Sequence, residues 1–135
     1  MKKLIFSLIM AIYASSSMAV SCGIGYGENS KGYCEVDKEY LKEICNSTFD
    51  NFIKPYAEFL DNEGLFWDEF VQSFKSGYSG LTPEQNKAFI ELLPTVKKVF
   101  FKKGEELDSS KSMKKKWFKY CKEDKLFILN DLNGY

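Results

Sequence analysis

Four cysteines, Cys22, Cys34, Cys45 and Cys121, constrain this chain more than any other feature, and the segment before them decides their chemistry. Met1-Lys2-Lys3 is a short positive stretch, Leu4 to Tyr13 is an apolar run, and Ala14 to Ala19 is rich in small residues. Ser17 and Ala19 fall where a signal peptidase reads small side chains. The apolar run is too short to cross a bilayer as a helix, and no stop-transfer stretch follows it. Residues 1–19 are therefore expected to be a cleaved Sec-type signal. The working chain, residues 20–135, is expected to be one helical domain in a bacterial periplasm or in the medium.

An even number of cysteines in an oxidising compartment points to two disulfides. Cys22 and Cys34 bracket a glycine-rich stretch that lacks helical periodicity and would gain order from a local bridge. Cys45 and Cys121 each fall on the apolar stripe of an expected helix. The favoured pairing is thus Cys22–Cys34 with Cys45–Cys121, the second closing a long loop. A zinc site is the rival, but the spacing holds no Cys-x-x-Cys and the chain has no His. A second rival is lipidation at Cys22, since Ala19-Val20-Ser21-Cys22 loosely resembles a lipobox. Ser15-Ser16-Ser17 interrupts the apolar run well before Cys22, and lipidation would leave one cysteine unpaired.

Composition excludes several chemistries. With no His, neither Ser-His nor Cys-His nucleophiles nor an imidazole general base is available. All nineteen basic residues are Lys, so no guanidinium fork exists for bidentate carboxylate or phosphate recognition. Two Trp, eight Tyr and twelve Phe, all but Phe6 and Tyr13 beyond residue 19, call for a packed core rather than disorder. Residues 20–76 hold eleven acids and five lysines, and residues 77–135 hold eight acids and twelve lysines. The slightly acidic sum makes nucleic acid an unsuitable partner. The split itself either orients a partner or neutralises internally.

Apolar spacing predicts about four helices. The first follows Asp37 and carries Leu41, Ile44, Cys45, Phe49, Phe52, Ile53, Tyr56, Phe59 and Leu60, with Pro55 as a kink and Gly64 at its end. A second spans about Leu65 to Ser76, striped by Phe66, Phe70 and Phe74. Thr82-Pro83-Glu84-Gln85 is a capping box with proline in the first turn, and the third helix that it opens is kinked at Pro94. Asp108 or Ser109 caps a fourth, with Met113, Trp117 and Cys121 aligned. Leu126 to Leu129 reads as a strand or a packed tail. The expected fold is all-α: a small disulfide-stapled bundle after an irregular, glycine-rich N-terminal segment.

Three groups of residues invite a functional reading. Asp61, Glu63, Asp68 and Glu69 cluster around Trp67, as a glycosidase's paired carboxylates flank a sugar platform. Acids near a helix start are also what capping and the helix dipole favour, so a solvated face is preferred. Lys111, Lys114, Lys115, Lys116, Lys119 and Lys122 make the fourth helix basic, suited to anionic lipid or an acidic partner, or simply to solvent. Tyr26, Tyr33, Trp67 and Tyr78 lie in or beside loops, where amphipathic aromatics commonly anchor interfaces. No catalytic residue, cofactor or metal ligand set stands out. The expectation is an exported binding protein, an inhibitor or immunity-type neutraliser of an envelope protein or toxin. A carboxylate-only cell-wall hydrolase and a secreted effector contacting membrane are the alternatives.

Overall fold

The computed structural model describes residues 22–104 and 106–135, so the expected signal segment lies outside the described residues. Helix accounts for 65% and strand for 7% of what is described. The chain divides into two compact units, one ending at Lys38 and the other spanning Glu39–Tyr135.

In the first unit the glycine-rich stretch is not irregular. It is an antiparallel hairpin of β1 (Tyr26–Glu28) and β2 (Cys34–Val36), with Tyr26 opposite Val36 and Glu28 opposite Cys34. Asn29 explains the turn: its Oδ1 accepts from the Lys31 and Tyr33 amides, and Gly32 takes a positive φ of 82° that a side chain would strain. Cys22 and Cys34 are bridged, Cα atoms 5.4 Å apart, pinning the lead-in to β2. Strands of three residues are too short to show alternation, which is why the hairpin was not expected from the pattern.

The second unit is helical, and five helical runs occur among the described residues. The first is continuous from 38 to 63: α1 (Lys38–Thr48), a π-helical segment (Phe49–Ile53) and α2 (Lys54–Glu63). The Lys54 amide bonds to the Phe49 carbonyl, five residues back, just before Pro55. A proline ring crowds the carbonyl four residues before it, and a wider turn at that point relieves the crowding. Gly64, at φ 64°, ends the run. The remaining α-helices are α3 (Trp67–Lys75), α4 (Pro83–Phe100), α5 (Ser110–Tyr120) and α6 (Leu126–Leu132), the last preceded by a single 3₁₀ turn.

α4 lies at the centre, packed against α3, α5 and α6. Its capping box forms as the sequence suggests: Thr82 Oγ1 accepts from the Gln85 amide and Gln85 Oε1 from the Thr82 amide. The helix continues through Pro94. Phe89, Val96, Val99 and Phe100 are fully buried. The run Leu126–Leu129 is not a strand but a packed helical segment, the first part of α6. Leu126, Leu129 and Leu132 recur every third residue and are fully buried, whereas Phe127 is 73% exposed, as one helical face requires and strand alternation does not.

The second disulfide joins Cys45 of α1 to Cys121 at the end of α5, Cα atoms 6.0 Å apart. Beside it the fully buried Trp117 indole donates to the Cys45 carbonyl at 2.9 Å. α6 is tied back to α1 by polar contacts: the Tyr40 hydroxyl donates to Asn130 Oδ1 at 2.6 Å, and Asn133 Nδ2 to Thr48 Oγ1 at 2.9 Å.

Candidate functional site

An open groove of about 490 Å³ lies between α2 and α3, closed at one end by the loop after α3. Spacing places it: Pro55, Tyr56 and Phe59 share one face of α2, and Phe70, Ser73 and Phe74 share one face of α3. Its floor is aromatic. The Tyr56 ring meets Phe89 at 4.9 Å, Phe74 at 5.3 Å and Phe70 at 6.2 Å between centroids, all edge-on. Its edge remains open: Phe59 is 48% exposed and Tyr78 is 86% exposed, and Phe66, at the start of α3, is 77% exposed.

Polar groups at the groove are mostly committed. Ser73 Oγ donates to the Phe70 carbonyl at 2.6 Å, and Glu69 Oε1 accepts from the Phe66 amide at 3.0 Å, capping α3. Asn86 holds the far end by donating to the Phe74 carbonyl and accepting from the Ser79 hydroxyl. The Tyr56 hydroxyl is the exception, with no hydrogen-bond partner among the described residues. Burial against the phenylalanines pushes its ionisation upward, so it stays a neutral phenol able to donate to a ligand.

Of the four aromatics expected to form a binding surface, two belong to each unit. Tyr26 and Tyr33 sit on the hairpin of the first unit, Tyr33 70% exposed. Trp67 and Tyr78 lie at opposite ends of α3. Only Tyr78 lines the groove, because Trp67 is half-buried against Phe70, Phe100 and Phe101 with Lys97 Nζ over its ring. Sequence reasoning missed Tyr56, Phe59 and Phe66 as surface candidates, since all three sit on apolar stripes and were read as core.

Two of the four candidate carboxylates line different cavities. Glu69 lines the groove, whereas Asp61 lines a smaller cavity of about 150 Å³ on the other side of α2, with Lys54, Glu58 and Asp108. No group of three or more His, Cys, Asp or Glu suited to a metal occurs among the described residues.

On the basic helix α5, Lys116 is consumed structurally. Its ammonium lies 2.8 Å from Asp108 Oδ2 and donates to the Phe101 carbonyl at 3.0 Å. The hydrogen bond from Lys116 to the Asp108 carboxylate, assisted by those from Ser112 and Ser109, lowers the Asp108 pKa from 3.8 to about 2. Lys114 lies over the Phe49 ring, and Lys98 and Lys119 both approach Tyr120. Lys111, Lys115 and Lys122 are exposed, as are Lys114 and Lys119. Cys22 and Cys34 are partly open to solvent, whereas Cys45 and Cys121 are buried.

No protein-family model matches the chain, and comparison with curated proteins and with solved structures finds no match either.

Proposed function

We propose that this is an exported binding protein that inhibits or neutralises an envelope-directed protein, and that the α2–α3 groove is its docking face. The observation that carries the reading is the open aromatic groove rimmed by exposed Phe59 and Tyr78. Contiguous exposed aromatics are uncommon on monomers and typical of interface anchors. The unpartnered hydroxyl of the half-buried Tyr56 adds a donor that fixes orientation. Export is supported by two disulfides, and a Cys22 sulfur bonded to Cys34 is not free to carry a lipid. No described helix is long and apolar enough to cross a membrane.

Crosslinking in the compartment where the protein accumulates tests this. A partner captured by the wild type should be lost with Phe59→Ser and Tyr78→Ser, whose side chains are exposed enough that folding survives. Retention of the partner by both variants would remove the groove from the account.

A second reading rests on five exposed lysines of α5 and its C-terminal edge, Lys111, Lys114, Lys115, Lys119 and Lys122. These suit an anionic membrane surface. Binding to vesicles rich in phosphatidylglycerol, abolished by Lys114→Gln with Lys115→Gln and Lys119→Gln, would establish it. The carboxylate-hydrolase reading has less support, because Asp61 and Glu69 line two separate cavities.

A further inference from the structure

We infer that the occupant of the α2–α3 groove is a cationic amphipathic helical segment, an inference that rests on the groove's role as a docking face. Charge around the groove is one-sided. Among its lining residues the single charged side chain is Glu69. Oε1 of Glu69 accepts from the Phe66 amide, and its second oxygen has no partner among the described residues. Glu63 is four residues beyond Phe59 and seven beyond Tyr56, which puts it on the groove face of α2, at the end beside the α2–α3 turn. It is exposed.

The cations of these two helices lie elsewhere. Lys54 lines the cavity on the opposite side of α2 with Asp61. Lys75 is five residues beyond Phe70 and two beyond Ser73, off the face those residues present. An entering segment therefore meets an apolar floor, aromatic lips and two carboxylates, and no lysine is among the residues that line the groove. Apolar residues spaced three and four apart would fill the floor between Tyr56, Phe70 and Phe74, as amphipathic helices fill grooves elsewhere. Lys or Arg side chains flanking that stripe would reach Glu63 and Glu69, while acidic flanks would meet like charge without compensation.

The test uses the disulfide-bonded protein and synthetic peptides of about 14 residues, long enough to fold on binding. One carries a Leu stripe flanked by Lys, a second the same stripe flanked by Glu, and a third is the Lys peptide scrambled so that no apolar face forms. Calorimetry and amide NMR titration read affinity and location. The Lys-flanked peptide should bind about tenfold tighter than the Glu-flanked one, weaken with added salt, and shift the resonances of α2 and α3. Glu63→Gln with Glu69→Gln should bring the two peptides within about threefold, since Gln at 69 still caps α3.

Equal binding of the two striped peptides, equal binding of the scrambled one, no binding at all, or shifts confined to α5 would each overturn the inference. A natural partner crosslinked through Phe59 and Tyr78 but seating an acidic segment would overturn it too, and would leave the docking role of the groove standing.

Discussion

At position 117 one indole fills a fully buried site and donates to the carbonyl of Cys45, next to a disulfide that joins the same two helices. Trp117→Phe keeps an aromatic ring but removes the donor and leaves a void, so it should lower unfolding free energy by about 3 kcal/mol. Urea unfolding followed by circular dichroism reads this as a lower midpoint with unchanged slope. Asp108 acts differently, through charge. Its pKa is depressed from 3.8 in the free group to about 2 by the Lys116 hydrogen bond, with Ser112 and Ser109 assisting. A depressed carboxylate stabilises the fold above its unfolded pKa and loses that contribution as pH falls through the folded one. Asp108→Asn should therefore be less stable than wild type at pH 6, and the gap should close between about pH 4 and pH 2. A gap that persists at pH 2 would mean that the carboxylate's charge is not what matters. All three residues were visible in the sequence only as types: Trp117 as part of a stripe, Asp108 as one of two caps, Lys116 as one lysine in a basic run. Their partners are remote in sequence or lie across a turn, and spacing along one helix does not reach them.

The elements themselves were more legible. Thr82-Pro83-Glu84-Gln85 starts α4 where its chemistry says it should, and Gly64 and Gly77 fall just beyond the ends of α2 and α3 with positive φ. Gln85 does more than local spacing discloses. Its Nε2 also donates to the Leu132 carbonyl at 3.0 Å, joining the first turn of α4 to the last of α6. Gln85→Glu keeps the acceptor that completes the capping box and places a negative charge at a helix N-terminus, which is favourable there. It removes the donor to α6 and sets a carboxylate against a carbonyl. α4 should remain intact while amide exchange of α6 accelerates by about tenfold; Thr82→Ala should instead cost about 1 kcal/mol of stability through the α4 cap. Uniform acceleration across both helices in Gln85→Glu would place the bond in the global transition. The groove was the least legible element. Phe59 and Phe66 keep helical spacing with buried neighbours, but a stripe shows which side of a helix is apolar and not how far the neighbouring helix extends over it. α3 begins only at Trp67, so Phe66 stays exposed, and the space beside Phe59 stays open.

Over the whole molecule the decisive constraint is the bridge between Cys45 and Cys121, which closes a span of 76 residues. Every helix from α2 to α5 lies between its ends, so the reduced unfolded chain gains a large freedom that the oxidised one lacks. In the chain-entropy account a loop of that length is worth about 4 kcal/mol. A domain of this size has a total stability of about 5–15 kcal/mol, so the bridge is a large share of it. Its sulfurs are buried, and the helices that carry them are also held by the Trp117 bond, so the geometry is expected to persist when the bridge is absent. Cys45→Ala with Cys121→Ala should consequently keep a helical circular dichroism spectrum and unfold at a urea midpoint lower by the equivalent of about 4 kcal/mol. The same dependence couples fold to location. Expressed where thiols stay reduced, the chain should accumulate as a marginally stable, protease-sensitive form, and expressed behind its N-terminal segment in an oxidising compartment it should resist proteolysis. Pulse proteolysis of the two preparations compares them directly. Equal resistance would show that helix packing alone holds the molecule, and that the bridge serves something other than its stability.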